Sequence, residues 1–378
     1  MTVDIAQWTV ETARADTALA GLRDDWEDLY RRCSRATPFQ SHAWLDSWWR
    51  GYGTPGALAL ALVRRDGQLV AAAALVRRSR GAGVYTFAGA GVSDYGDVLL
   101  DDGCAGEAAR HLGRELAALA RRGVLDLAEV RPEAALWQVA AEWPARAWRL
   151  PGSVCLELPG VPLDELLSHE PTRAARRRRR EVRKVAESGV QVRPTPPEDV
   201  PRRVRDLLLL HRRQWRGRGM TPEHGRARFA EHLSRSVTEM VPRGQAEVLE
   251  FTVDGRLMAA EIFVVGHDLV GSYLYGVDPE LRKRVDVTVL LLHSHLATTL
   301  RLGRPVMDML RGQEVTKQRW RPRAVRNQRV LLAGPGRLPA LYTSAVRARA
   351  NLRPFVKEHL PVVHTAAKRA RAWLRSFM

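Results

Sequence analysis

The chain is poor in several things that would each have named a class of protein. Its 378 residues hold only three cysteines, Cys33, Cys104 and Cys155, isolated from one another and without a CxxC pair. Neither a disulfide framework nor a zinc ribbon is available, and three buried thiols in a reducing compartment are expected. No apolar run reaches the ~18–20 residues that span a bilayer; the nearest, residues 285–300, is broken by Asp286, His293 and His295. The first residues lack the basic and apolar regions of a secretory signal. Lysine is scarce as well: it supplies five of the 60 basic residues. That bias points to the base composition of the coding DNA, so arginine in general carries little information about recognition. These absences together read as a soluble cytoplasmic protein.

What is present is core-forming material. Apolar residues make up 45% of the chain and charged residues 27%, which excludes a disordered polycation. At ~100–200 residues per domain the length predicts two domains. The formal net charge of +18 is unevenly placed. Residues 170–187, 311–329 and 337–378 carry +5, +6 and +8 respectively, leaving the remainder near neutral. Phosphorylated ligands, nucleic acid and anionic lipid are the partners such segments attract.

An internal repeat sets the architecture. RRDGQLVAAAAL at 64–75 and TVDGRLMAAEIF at 252–263 each place an Asp-Gly pair between apolar runs, a strong hairpin signal, at an offset of 188. WRGYG at 49–53 answers WRGRG at 215–219, and VLDL at 124–127 answers VMDM at 306–309. Three anchors in one order describe a duplicated unit, with residues 220–240 read as a helical insertion in the second copy. Each copy reads as helix, antiparallel meander, helix and strand, an α+β pattern of mostly antiparallel sheets covered by helices. In the second copy the spacing predicts strands at 246–253, 256–265, 269–277 and 305–310, with a helix starting at Asp286, a good N-cap. The expected organisation is a first domain at 1–150, a linker with an Arg-rich helix at 151–200, a second domain at 201–336 and a basic helical tail at 337–378.

The two copies differ where a strand meets a helix N-terminus, a natural anion site. In the first this junction is acidic, with Asp101 and Asp102. In the second Arg282, Lys283 and Arg284 precede the helix, so these bases and Thr288 are the candidates for holding an anionic cofactor. Just beyond the last strand, Asp308, Arg311, Glu314 and Lys317 form the densest polar segment of the chain. A carboxylate there can act as general base and a cation can steady an oxyanion, although Arg311 with Glu314 can equally be a structural ion pair. Glu261 stands in an apolar strand where the first copy has Ala73, and a carboxylate there needs a partner or a shifted pKa. Tyr273 and Tyr275 alternate in the next strand and are expected on one face; with Trp215 they complete the candidate substrate contacts. His293 and His295, two apart on a helix, point apart and make no metal pair.

Four blocks, PFQSHAWLDSWWRGYG (38–53), TRAARRRRREVRKVAESG (172–189), YLYGVDPE (273–280) and MDMLRGQEVTKQRW (307–320), resemble the signature blocks of the CelD/BcsL-type acetyltransferases. That family is associated with cellulose and exopolysaccharide biosynthesis. Its members are tandem representatives of the GNAT (Gcn5-related N-acetyltransferase) superfamily, akin to the FemAB aminoacyltransferases. The resemblance spans about residues 25–332. It implies two GNAT-like domains, the first degenerate and the second active, and transfer of an acyl group, acetyl in the first instance, to an amine or hydroxyl. Acetyl-CoA or another acyl-CoA is the implied co-substrate, with a small-molecule or glycan acceptor and no metal. Aminoacyl-tRNA is the alternative donor, and a non-catalytic membrane-associated scaffold the alternative role. Where the family carries a Ser-Pro-Gly-like turn before the cofactor helix, this chain has Val285, Asp286, Val287 and Thr288. Gln313 replaces an acid common in the last block.

In the tail, Val362, Val363, Ala366, Ala370, Trp373, Leu374 and Phe377 recur at helical spacing, with Lys368, Arg369, Arg371 and Arg375 mostly elsewhere. Such a helix at 361–378 suits an anionic membrane interface, placing the protein peripherally at the inner membrane face, or suits docking on the second domain.

Overall fold

A computed structural model describes residues 6–79, 83–168, 171–216 and 219–359. Among the described residues thirteen strands form one sheet: β1 (Trp8–Ala13), β2 (Leu58–Arg65), β3 (Gln68–Ser79), β4 (Val84–Phe87), β5 (Leu99–Leu100), β6 (Val124–Val130), β7 (Arg146–Pro159), β8 (Gln191–Pro194), β9 (Ala246–Val253), β10 (Arg256–Val265), β11 (Leu269–Val277), β12 (Val306–Arg311) and β13 (Arg323–Ala333). The helices are α1 (Ala18–Gly21), α2 (Arg23–Arg31), α3 (His42–Tyr52), α4 (Ala105–Leu119), α5 (Leu136–Ala141), α6 (Leu163–Leu166), α7 (Thr172–Ala186), α8 (Val200–Gln214), α9 (Ala227–Met240), α10 (Val287–Arg301), α11 (Val315–Gln318) and α12 (Arg337–His359). The amphipathic helix expected at 361–378 lies outside the described residues.

The strand order, β1-β2-β3-β4-β6-β13-β7-β12-β11-β10-β9-β8, is the same half-sheet written twice in opposite directions. β4 runs parallel to β6 as β11 runs parallel to β12, and every other pairing is antiparallel. The last strands are exchanged. β7, which ends the first copy, pairs with β12 of the second, and β13, which ends the second, pairs with β6 of the first. β7 and β13 then pair with each other from Glu157↔Arg323 to Arg146↔Ala333. Residue 150, the expected end of the first domain, therefore lies inside a strand that belongs to both halves of the sheet.

Local chemistry made the repeat readable. Both Asp-Gly pairs form the hairpin turns β2-β3 and β9-β10, with positive φ at each central residue: Asp66 51°, Gly67 82°, Asp254 50° and Gly255 75°. Two left-handed residues in succession give the turn whose twist matches the flanking strands. The first anchor needs correction. Residues 227–240 are not inserted: α9 ends at Met240 and β9 begins at Ala246, as α3 ends at Tyr52 and β2 begins at Leu58, at the hairpins' own offset of 188. α3 and α9 are counterparts that pack against each other, so the match between residues 49–53 and 215–219 joins non-equivalent helices.

That packing explains the aromatic wealth of α3. Trp44, Trp48 and Trp49 are buried, and so is every residue from His42 to Trp49, because the helix is held between the first half-sheet and α9. A helix covered on several sides reads as continuously apolar instead of striped. One shared core joins α2 and α3 to α8 and α9. On the other sheet face, separate cores lie under α4 and under α10 with α7.

Candidate active site

In the second copy β11 and β12 pair only from Leu269–Val306 to Gly271–Asp308. Beyond that point β11 stays with β10 and β12 stays with β7, so no backbone bonds join the two strands. The separation is reinforced by a bulge on each side. β12 shifts register between Asp308 and Arg311, with Leu310 at φ 55°. β11 shifts opposite Ile262 and Phe263, leaving Tyr273 out of the ladder. The bulge overturns the expectation that Tyr273 and Tyr275 share a face, since one extra residue reverses the alternation. Tyr273 packs against Trp44 and Phe39 and donates its hydroxyl to the Val92 carbonyl at 2.9 Å. Tyr275 turns toward Glu261 and hydrogen-bonds the Gln214 side chain, its hydroxyl pushed up chiefly by burial.

Glu261 is buried on the α10 face of β10. Ser272 donates to its Oε1 at 2.5 Å, while Oε2 has no partner among the described residues. Burial pushes this carboxyl up to about 8, with Ser272 opposing. A carboxyl titrating near neutrality with one free oxygen is equipped to take a proton.

The anion-binding end lies where α10 begins. A cavity of about 290 Å³ is lined by Arg177, Arg178 and Glu181 of α7, by Asp286, Thr288 and Val289, and by Arg319 and Trp320 after α11. Asp286 caps the helix, accepting from the amides of Thr288 at 2.9 Å and Val289 at 3.3 Å. The Arg178 guanidinium lies over the Trp320 ring at 4.5 Å and donates to the Arg319 carbonyl. Three guanidinium groups against two carboxylates leave the cavity positive. Of the expected cofactor contacts only Thr288 lines it. Lys283 is paired with Glu280 at 2.8 Å and Arg284 approaches Asp254 of the hairpin turn at 4.0 Å. Arg282 faces Tyr275. The short 3-10 helix Pro279–Lys283 carries these bases away from the start of α10. The arginines that replace them sit in two blocks already conspicuous in the sequence, but only folding sets those blocks side by side.

The polar segment after β12 is divided among different tasks. Asp308 is fully buried, accepts from the Tyr95 hydroxyl at 2.6 Å and from the Leu310 amide at 2.7 Å, and is pushed up to about 7 chiefly by burial. Arg311 pairs with Asp94 and lies 3.8 Å from Glu129, so its partners are in the first copy and not at Glu314. Lys317 holds the end of β12, donating to the carbonyls of Met309 at 2.8 Å and Arg311 at 3.1 Å. Glu314 is exposed and 3.3 Å from Lys317. Asp94 and Tyr95, missed in the sequence, come from the loop after β4, and no spacing rule connects them to a strand more than 200 residues away.

On the shared-core face, an aromatic wall runs beside Tyr273. Trp48 stacks on Tyr52, which lies 6.0 Å from His232 and carries Arg228 over its ring at 4.7 Å. His211 bonds the Tyr275 carbonyl through Nδ1 at 2.7 Å and His224 through Nε2 at 3.2 Å, with Trp215 6.2 Å away. Burial depresses both imidazoles, that of His224 to about 4, so both are neutral at pH 7. The indole N–H groups of Trp48 and Trp215 are buried without partners among the described residues. No group of His, Cys, Asp and Glu able to hold a metal occurs among the described residues, and no helix there is long and apolar enough to cross a membrane.

Residues 172–318 match the family described as an acetyltransferase (GNAT) domain. No curated protein matches the chain in sequence. Among solved structures, FemX is similar at a TM-score of 0.59 and 11% identity, over 82% of this chain and 95% of that one. L-PGS from Bacillus licheniformis follows at 0.53 and 12%, over 86% and 95%. The C-terminal domain of a putative lysylphosphatidylglycerol synthetase from Agrobacterium fabrum gives 0.54 and 12%, over 86% and 96%. At such identities the likeness is one of fold: two GNAT-like units joined through a continuous sheet.

Proposed function

We propose that the protein is an acyltransferase working in its second copy. An acyl donor lies in the opening between β11 and β12, and the anionic end of its carrier reaches the cavity at the start of α10. The observation that carries this reading is that cavity: a 15-residue helix N-terminus, three arginines and an aromatic ring meet at the foot of an opened parallel strand pair. Acyl-CoA suits it, because a thioester on a phosphate-bearing carrier needs a slot for its chain and cations for its phosphates. Arg177, Arg178 and Arg319 would hold those phosphates, with charge-assisted hydrogen bonds worth about 1.5–3 kcal/mol each.

The acceptor, an amine or hydroxyl, enters the opening on the side where Tyr275 turns toward Glu261. Its lone pair attacks the thioester carbonyl, the C–S bond breaks as the new bond to carbon forms, and the carrier leaves as thiolate. Glu261, ionised, takes the proton from the attacking group.

Acetyl-CoA should raise the thermal midpoint of the protein, and Arg177→Glu with Arg319→Glu should remove the rise. A flat response to acetyl-CoA and longer acyl-CoAs would take CoA out of the reaction. A second donor is favoured by the exposed bases of α7, Arg173, Arg176, Arg180, Arg183 and Lys184, which continue beyond the cavity. That stripe suits a longer polyanion such as aminoacyl-tRNA. Gel-shift with charged tRNA over a salt series separates the donors. A polyanion held at many phosphates dissociates steeply as salt rises, whereas no shift even at low salt leaves acyl-CoA as the donor.

A further inference from the structure

Few large hydrophobic side chains are exposed among the described residues, and three of them stand on α12: Leu338, Leu341 and Leu352, at 60%, 67% and 57% exposure. The helix docks on the sheet by its other side. There Tyr342 and Val346 pack with Trp148 and Leu150 over Val124, Leu331 and Ala333, and the Tyr342 hydroxyl donates to Asp126 at 2.5 Å. On the outer side Leu338, Leu341, Ala345, Ala348 and Leu352 follow at alternating intervals of three and four, and all five are exposed. On an α-helix that spacing makes one longitudinal stripe. At 100° per residue, Arg337 and Arg349 fall about 60° to either side of it. The stripe is thus apolar along its centre and cationic at both edges.

Charge selects the occupant. Residues 337–359 contain Arg337, Arg347, Arg349, Arg353 and Lys357 against Glu358 alone. A second copy laid on this face would bring two strongly cationic helices together, and the equally basic residues 360–378 would do the same. A surface of anionic lipid instead accepts the leucines at the acyl boundary and attracts the basic side chains to its headgroups. We infer that the outer face of α12 is a docking surface for an anionic membrane. This goes beyond the acyl-transfer reading and does not depend on it.

The test is co-sedimentation of the full chain with phosphatidylcholine vesicles made with and without phosphatidylglycerol. The protein should pellet with the anionic vesicles only, and added salt should release it. Leu338→Ser with Leu341→Ser and Leu352→Ser should abolish pelleting while leaving the thermal midpoint unchanged, because these side chains touch solvent. Arg337→Glu with Arg349→Glu, which leaves the apolar stripe intact, should also abolish it. Trp373→Ser with Phe377→Ser, in the segment after α12, should leave most of the binding. Absence of pelleting by the unaltered protein overturns the inference, as does full pelleting by the leucine variant. So does a solution dimer that the leucine variant dissolves, which would make a second copy the occupant.

Discussion

The first copy opens its sheet as the second does and then closes the opening with its own chain. β4 and β6 pair only at Val84–Val124 and Tyr85–Leu125, and β6 leaves through Glu129 at φ 60°, much as β12 leaves through Leu310. Residues 88–98 then enter the gap. The Gly96 amide bonds the Glu129 carbonyl at 2.9 Å, and a side chain on Gly96 would meet Phe87 and the Ala128 carbonyl. Asp97 caps α5 through the amides of Ala135 and Leu136, and the cavities left beside Gly96 and Asp97 measure about 90 and 10 Å³, against about 290 Å³ at the start of α10. At the start of α4, Asp101 pairs with Arg32 and Asp102 accepts from the Ser34 amide, where the second copy presents arginines. The same loop reaches across to hold β12 through Asp94 and Tyr95. One opening is filled by its own chain, and the loop that fills it also supports the other.

The largest expected effect breaks that asymmetry at its chemical centre. Glu261→Gln should lower the transfer rate about 10²–10⁴-fold, the usual range for a positioned general base. The counterpart Ala73 is buried and has no such role; Ala73→Glu should cost a few kcal/mol by burying a carboxyl without a partner, readable as a lower thermal midpoint. Glu261 also has a signature in stability. Its folded pKa of about 8 lies above the ordinary 4.5, so its neutral form favours the fold at low pH and that contribution is lost as pH rises toward 8. Glu261→Gln should match the unaltered protein near pH 4.5 and be up to a few kcal/mol more stable near pH 8, measured by denaturant melts across that range. Stability gained with activity lost would mark a site residue held against the preference of the fold.

Next in size, Arg177→Glu with Arg319→Glu should weaken acyl-donor binding by about two orders of magnitude or more, two charge-assisted contacts being replaced by repulsion. Calorimetric titration measures it, and an unchanged affinity would remove the α10 cavity from the donor site. Smaller still, Tyr95→Phe should cost about 1–3 kcal/mol, because Asp308 loses its hydroxyl donor in a buried setting. A weaker donor affinity accompanying the lower midpoint would show that the first copy steadies the opening in the second. The smallest effects should be equal in the two copies. Gly67→Ala and Gly255→Ala, both at positive φ with open space around the added carbon, should each cost about 1 kcal/mol by equilibrium unfolding.

Much of the fold was legible because it is local. The strands at 246–253, 256–265 and 269–277 and the hairpin turns follow from alternation and from Asp-Gly chemistry, and the α10 cap from one aspartate before an apolar run. Glu261 was conspicuous because a carboxylate inside an apolar strand breaks the pattern. Three readings failed where distance along the chain mattered. The bulge that parts Tyr273 from Tyr275 is set by β10 and the open strand pair. The bases at 282–284 looked like an anion site because they precede a helix, but a 3-10 turn directs Lys283 and Arg284 to nearby acids and Arg282 toward Tyr275. The equivalence of α3 and α9 was hidden because their sequences diverged while their spacing to the following strand did not.

The sequence by itself determined the repeating elements, the acidic and basic junctions of the two copies and the segments in which the positive charge collects. These depend on neighbours a few residues apart, whose side chains and backbone preferences act before the chain is compact. Only the tertiary structure decided that β7 and β13 change places, that Tyr95 meets Asp308 and that Arg177 faces Thr288. Those contacts are fixed by closing one sheet around two copies, and packing of that range leaves no periodic trace in the chain.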